Sequence, residues 1–423
     1  MRLTKFFKLD SGYLRNIGLQ SGGNILAQAI NIVSLPLITR LFHPADFGAF
    51  NLFMQFMALT TILISLRVEH VVMLPKTDDQ AKELVGFVAG FGAMSCAGLT
   101  GICLGLVVAG LIPIEYQIWA LILPMTSFLI VFAQAAQQLS QRSEDFRKSG
   151  MSEVANRAGN GLVSIGAGLL GLPGVWLGIA TATGFASKIL VVRGALKSVS
   201  FAPMRGALTG RTRIRAQGLE KLLGSMILSH GMLAVTTLAP LTYIGYRYGE
   251  DFTGQFALVL GTLALPTTLV GNAIGQVFYQ RASQMFANGG AFSALLLANV
   301  RLLFFIALPA FLFVALTGPF LYPLVFGSQW HVAGETAHIY AVAAAFSFIT
   351  VPFDRSGLIV NAWWYGPSWH FGRLVTTLAT ILLSEMISAP YMTFVWFVAV
   401  QSVLLYAIDG CSSYLFARRN TKF

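Results

Sequence analysis

Four cations stand within or beside stretches of this chain that are otherwise apolar: Arg40, Arg157, Lys188 and Arg301. A charge held at the centre of a helix in hydrocarbon costs roughly 3 kcal/mol unless it faces protein or water, so each needs a reason. Arginine offers a planar two-pronged donor that matches phosphate oxygens, and lysine offers a compact point charge. Together they point to an anionic ligand with a large neutral or greasy remainder. Arg157 and Arg301 lie close enough to segment ends to reach the headgroups instead, and for them that reading stands beside the first. His230 lies well inside another apolar stretch. Amides supply a second kind of chemistry. Ser21, Asn24, Gln28 and Asn31 fall on one helical face, and Asn272, Gln276 and Tyr279 repeat the pattern further on. Such faces either line a cavity or hold helices together through hydrogen bonds, helped by Gly22, Gly23, Gly271 and Gly275. Glu385 and Asp409 also lie in apolar segments, whereas Glu69 and Asp354 stand beside Arg67 and Arg355, where local ion pairs are expected.

No catalytic constellation competes with ligand binding. The chain has no GxSxG, HExxH or P-loop motif and no DxD-like carboxylate pair in a loop. Cys96, Cys103 and Cys411 fall inside apolar segments without CxxC spacing, so neither disulfides nor a metal site is expected. The expectation is a protein without enzymatic activity, cofactor or metal.

The elements that must position these residues are set by composition. With 56% hydrophobic and only 11% charged residues, the chain lacks the polar surface a water-soluble protein needs. Twelve apolar segments are long enough to cross a hydrocarbon core of about 30 Å. They lie near residues 17–41, 47–66, 84–112, 116–140, 151–172, 174–196, 220–244, 252–280, 292–317, 335–353, 371–388 and 391–416. The expected fold is an all-α integral membrane protein. Lys and Arg cluster in alternate connections, while the others hold only Arg40 and Arg247, which predicts both termini in the cytoplasm. The net charge of +11 then reflects topology and anionic lipid rather than nucleic acid. Among the outward connections residues 318–335 form the longest loop, itself apolar and expected to pack on the membrane surface.

A repeat organises these spans. LPLITRLFHPADFGAF (residues 35–50) is answered by LAPLTYIGYRYGEDFTGQF (residues 238–256), with Pro36 matching Pro240 and Asp46-Phe47 matching Asp251-Phe252. In each copy the proline should kink one helix and the aspartate should cap the next. Six spans separate the copies, so they enter the membrane in the same direction. That predicts two six-helix lobes related by a pseudo-twofold along the membrane normal, with a ligand site between them. The expected parts are a cytoplasmic lead (1–16), an N-terminal lobe (17–197), a basic cytoplasmic linker (198–219), a C-terminal lobe (220–417) and a basic tail (418–423).

LPLITRLFHPADFGAFNLF followed by LRVEHVVMLPKTDDQAKEL resembles the opening hairpin and inner loop of bacterial polysaccharide and O-antigen flippases. These belong to the multidrug/oligosaccharidyl-lipid/polysaccharide exporter superfamily. ALPTTLVGNAIGQVFYQRAS resembles their eighth span, and LYPLVFGSQWHVAGETAHIYAVAAAFSFITVPFDRSGLIVN their ninth-to-tenth connection. The resemblance implies a central cationic cavity that opens alternately inward and outward. It also implies a substrate: a polyprenyl-diphosphate-linked oligosaccharide moved to the periplasmic leaflet of the bacterial inner membrane, for O-antigen, exopolysaccharide or capsule synthesis.

Cavity residues on this reading are Arg40, Arg157, Lys188, Arg301, Asn24, Gln28, Asn31, His230, Asn272 and Gln276. Membrane lipids are expected partners, and glycan polymerase and chain-length machinery are further candidates. Two other readings stay open. A multidrug or cation exporter of the same superfamily should line its cavity with carboxylates and aromatics. A membrane-embedded polysaccharide polymerase or ligase should carry a long outward loop with catalytic charges.

Overall fold

The structure, a computed structural model, describes residues 11–197, 199, 203–216, 218–362 and 364–419, without the side chains of residues 11–19, 203–207 and Asn272. Most of the expected lead and tail, and parts of the expected linker, lie outside this set. Fifteen α-helices run in order among the described residues. They are α1 (Ser11–Leu41), α2 (Pro44–Ser65), α3 (Asp78–Val108), α4 (Gln117–Arg142), α5 (Phe146–Leu169), α6 (Val175–Val192), α7 (Pro203–Ala216) and α8 (Glu220–Tyr248). Then follow α9 (Glu250–Pro266), α10 (Asn272–Ala287), α11 (Ser293–Phe326), α12 (His331–Thr350), the single turn α13 (Ser356–Ile359), α14 (Tyr365–Met386) and α15 (Tyr391–Ala417). No strand occurs among the described residues. A bilayer offers backbone groups no water, and helices are one of the two architectures, beside closed barrels, that satisfy them.

Each of the twelve expected spans corresponds to helix. Ten are long and apolar enough to cross a membrane by composition alone. The two that fall short, α5 and α14, carry polar residues including Glu153, Arg157, Arg373 and Glu385. The helices cluster into two compact units, one of Met1–Phe42 and Phe53–Gly231, the other of His43–Leu52 and Met232–Phe423.

In unit 1 helix contact depends on small residues, as expected where lipid is as apolar as leucine. A Cβ on Gly23 of α1 would come within 2.4 Å of the Gly150 backbone in α5. One on Gly184 of α6 would come within 2.7 Å of the Asn156 carbonyl in α5. Leu84, Val131, Val192 and Val72 are fully buried and form the centre of the apolar core around a short 3-10 turn, Val68–Val71. In unit 2 the core joins Ile244, Phe256, Phe394 and Val395. Large side chains such as Phe305 (71% exposed) and Phe320 (72%) point outward, where a bilayer rather than water receives them.

The repeat closes on itself inside unit 2. A Cβ on Gly254 would sit 1.8 Å from the Pro44 carbonyl, and one on Gly48 would sit 2.3 Å from the Glu250 carbonyl. The contact is reciprocal, with Pro44 four residues before Gly48 and Glu250 four before Gly254. In the first copy Pro44 opens α2 and the Asp46 carboxylate accepts from the His43 amide at 3.1 Å, half of a capping box. The second copy departs from expectation. Gly249 precedes α9 with φ +101°, and no side-chain cap forms, because glycine alone supplies that backbone turn.

Three further expectations need correction. The basic linker contains a helix, α7, whose Gly210 backbone lies so close to Phe87 of α3 that a Cβ would meet it at 2.2 Å. Residues 318–335 form no long loop: α11 continues to Phe326, and α12 begins at His331 after a turn at Gly327. The eighth span is interrupted between α9 and α10 by a π turn, Thr267–Gly271, directly after Pro266, which cannot donate to the helical ladder.

Candidate functional site

The polar centre of unit 1 is built from α4, α5 and α6. Lys188 on α6 is 4% exposed. Its ammonium donates to Glu153 Oε1 on α5 at 2.7 Å, and Gln137 on α4 donates to the same oxygen at 3.0 Å. Arg157, one turn beyond Glu153 on α5, acts electrostatically on both Glu153 and Lys188. One carboxylate therefore faces two cations, and the cluster keeps a net positive charge. Read from sequence, Lys188 has no evident partner; the structure corrects this by pairing it with Glu153. Below the pair Asn160 donates to Thr181 at 3.2 Å and Ser164 to Asn160 at 3.3 Å, continuing the polar seam between α5 and α6.

The amides of α1 divide between exposed and partly enclosed positions. Asn24 is exposed and accepts from Gln20 at 3.2 Å, while Gln28 and Asn31 are half-buried. Among the described residues the Gln28 side-chain oxygen, which is buried, has no hydrogen-bond partner. Arg40 is exposed near the end of α1.

His230 joins a different group. Its ring stacks on His70 with centroids 5.8 Å apart, and its Nδ1 lies 2.7 Å from the Met226 carbonyl. His70 Nε2 and Arg67 Nη1 each lie 3.6 Å from Glu69 Oε1, and the Glu69 side chain is completely buried. The expected Arg67–Glu69 pair is thus present. Arg67 holds φ +62°, an uncommon conformation for a residue with a Cβ, so the turn carrying this group is strained. Burial pushes the Glu69 carboxyl above the usual carboxylate range, with Ser65 and Arg67 pulling it the other way. Burial, and then Arg67, lower the His70 imidazole.

In unit 2 the candidates are dispersed. Asn272 opens α10, but its side chain lies outside the description; Gln276 on α10 and Arg301 on α11 are exposed. Arg355, expected to pair with Asp354, lies over the Tyr279 ring at 5.8 Å instead. Glu385 accepts from the Tyr243 hydroxyl at 2.9 Å and lies 3.8 Å from Arg247. Asp409 accepts from the Tyr365 hydroxyl at 2.8 Å. Gln255 is missed by the sequence reading. It is 4% exposed, donates to the Gln329 carbonyl at 2.7 Å and accepts from the Ala333 amide at 2.8 Å, tying α9 to the start of α12. Its place directly after the Asp-Phe-Thr-Gly stretch (251–254) of the repeat is the signal that could have found it.

Comparison with known proteins places this arrangement. The chain matches the structure described as lipid II flippase MurJ, inward closed conformation, with TM-score 0.70 and 13% identity over 94% of this chain and 87% of that one. It also matches an inward-facing multidrug resistance MATE family transporter of the MOP superfamily, with TM-score 0.63 and 15% identity over 93% and 94%. An outward-facing structure of a MATE family transporter aligns with TM-score 0.53 and 16% identity over 96% and 94%. At these identities the likeness establishes the fold. No curated protein sequence matches the chain. The profile described as polysaccharide biosynthesis protein matches residues 37–335, well over half of the sequence. This multi-pass membrane chain therefore belongs to the polysaccharide biosynthesis protein family.

Proposed function

We propose that the protein is a flippase, not an enzyme, that moves a polyprenyl-diphosphate-linked oligosaccharide from the cytoplasmic to the periplasmic leaflet of the inner membrane by alternating access. The observation that carries this reading is the Lys188–Glu153–Arg157 cluster, which holds surplus positive charge among membrane-crossing helices of a polysaccharide-family chain. A diphosphate is the ligand such charge suits. The side-chain amides of Asn24 and Gln28 on α1 suit glycan hydroxyls. A second reading, export of cationic compounds, is favoured by the carboxylates of Glu153 and Glu385 and by the MATE likeness of the fold.

Deletion of the gene followed by analysis of lipid-linked intermediates separates the two. The flippase reading expects complete, unpolymerised units accumulating on the cytoplasmic leaflet, while units facing the periplasm would point to a polymerase. Unchanged intermediates with raised sensitivity to cationic drugs would favour the exporter. The proposed orientation has both termini in the cytoplasm, and thiol labelling of intact cells checks it. A cysteine replacing exposed Arg211 should be shielded and one replacing Leu111 labelled; the reverse pattern would overturn the orientation.

A further inference from the structure

Unit 2 contains a cavity of about 830 Å³ between α11, α12 and α15, none of whose residues belongs to the cationic cluster. It is a wedge. At one end the Phe292 amide donates to the Ala417 carbonyl at 3.0 Å and ties the start of α11 to the end of α15. At the other, Gly318 and Gly334 bring α11 and α12 so close that a Cβ on Gly334 would lie 2.6 Å from the Gly318 carbonyl. Between these pins the walls are Leu, Val, Phe, Ile and Ala, with Phe304 (46% exposed), Leu308 (50%) and Leu415 (61%) at an open side. The polar groups in the lining are mostly occupied. Thr350 donates to the Phe346 carbonyl at 2.9 Å and Ser413 to the Phe353 carbonyl at 3.1 Å. Such a lining gives water or a polar ligand no partners, so the occupant is hydrocarbon.

Length selects which hydrocarbon. The lining runs along α11 from Leu296 to Ala315, about 28 Å at ~1.5 Å per helical residue. A phospholipid acyl chain occupies one leaflet, about 15 Å of a hydrocarbon core of about 30 Å. A polyisoprenoid chain is long enough to follow the whole cleft. It is also the part of the proposed substrate that must change leaflets along with its head. We infer that this cleft holds the polyprenyl chain of the transported lipid, an inference that rests on the flippase reading.

The test uses membranes containing the full-length protein and a polyprenyl diphosphate with a diazirine in its chain. A parallel sample receives phosphatidylethanolamine with the diazirine in one acyl chain, and labelled peptides are mapped by mass spectrometry. The polyprenyl probe should label cleft peptides of α11 and α15 severalfold above the exposed stretch of α14 around Leu382. Unlabelled polyprenyl diphosphate should compete this label away, and the phospholipid probe should show no such enrichment. Ala345→Trp and Cys411→Trp, which fill the cleft from α12 and α15, should each remove the label at unchanged protein level. Polyprenyl labelling no stronger in the cleft than on α14, or phospholipid enrichment that polyprenyl diphosphate fails to displace, overturns the inference. A wild-type protein that sustains transport without cleft labelling rejects the cleft alone. A deletion that leaves lipid-linked intermediates unchanged rejects the flippase reading and the cleft with it.

Discussion

Lys188 and Glu153 make opposite demands on an experiment, because each holds the other's charge in a poorly solvated place. Removing one partner of a buried pair costs about 3 to 5 kcal/mol, whereas neutralising both is often tolerated. Lys188→Met and Glu153→Gln should therefore each lower the thermal stability of the purified protein, and the double variant should recover most of it. If Lys188 also binds diphosphate, the double variant folds yet stays defective in transport. Full transport by the double variant would make the pair purely structural. At Glu69 the sign of a pH effect is fixed by burial. A carboxyl raised in the folded state stabilises below its unfolded value of 4.5, and that stabilisation is lost as pH rises through the higher folded value. Glu69→Gln should remove this loss, so the stability difference between variant and wild type should grow in the variant's favour over that window. His70, shifted the other way, contributes stability above its unfolded value of 6.5 that is lost as pH falls through its lower folded value. A flat difference between Glu69→Gln and wild type across the carboxylate range would refute the buried-carboxylate account.

At the scale of elements the repeated hairpin makes the sharpest demand. Gly48 and Gly254 each lie against a carbonyl of the other copy, so Gly254→Val must displace the Pro44 backbone rather than a flexible side chain. Overpacking of this kind costs roughly 1 to 3 kcal/mol or more. Thermal unfolding in detergent should show that loss for Gly254→Val and Gly48→Val. Gly22→Ala, whose Cβ meets nothing, should be neutral or stabilising. Equal behaviour of all three would remove the close contact from the account. The sequence displayed this repeat because proline, aspartate and glycine are read directly as turn and cap chemistry. It hid α7, because PMRGALTGRTRIRA is too polar to suggest a packed helix, yet its Gly210 backbone meets Phe87 and its Arg213 donates to Glu83 on α3 at 2.6 Å. It hid the break after Pro266 for a related reason: hydropathy stays high across Thr267–Gly271 while the hydrogen-bond pattern changes.

For the whole molecule, composition and the length of the apolar segments are enough to reveal a many-span membrane protein, since hydrocarbon thickness fixes segment length without reference to tertiary contacts. Partners in three dimensions were less legible. Glu153 stands 35 residues before Lys188, and nothing local marks the two as a pair. His230, a cavity candidate by its depth in α8, stacks on His70; depth in a helix does not tell which neighbour a side chain faces. The central claim is transport of a lipid-linked oligosaccharide without chemistry on it, and purified protein in vesicles tests it most directly. A polyprenyl-diphosphate oligosaccharide, placed in one leaflet and detected in the other by an impermeant glycan-cleaving enzyme, should cross intact in vesicles containing the protein. It should not cross in protein-free vesicles or in those containing Arg157→Glu. Equal crossing in protein-free vesicles, or glycan that is joined or cleaved by the protein itself, would contradict the account.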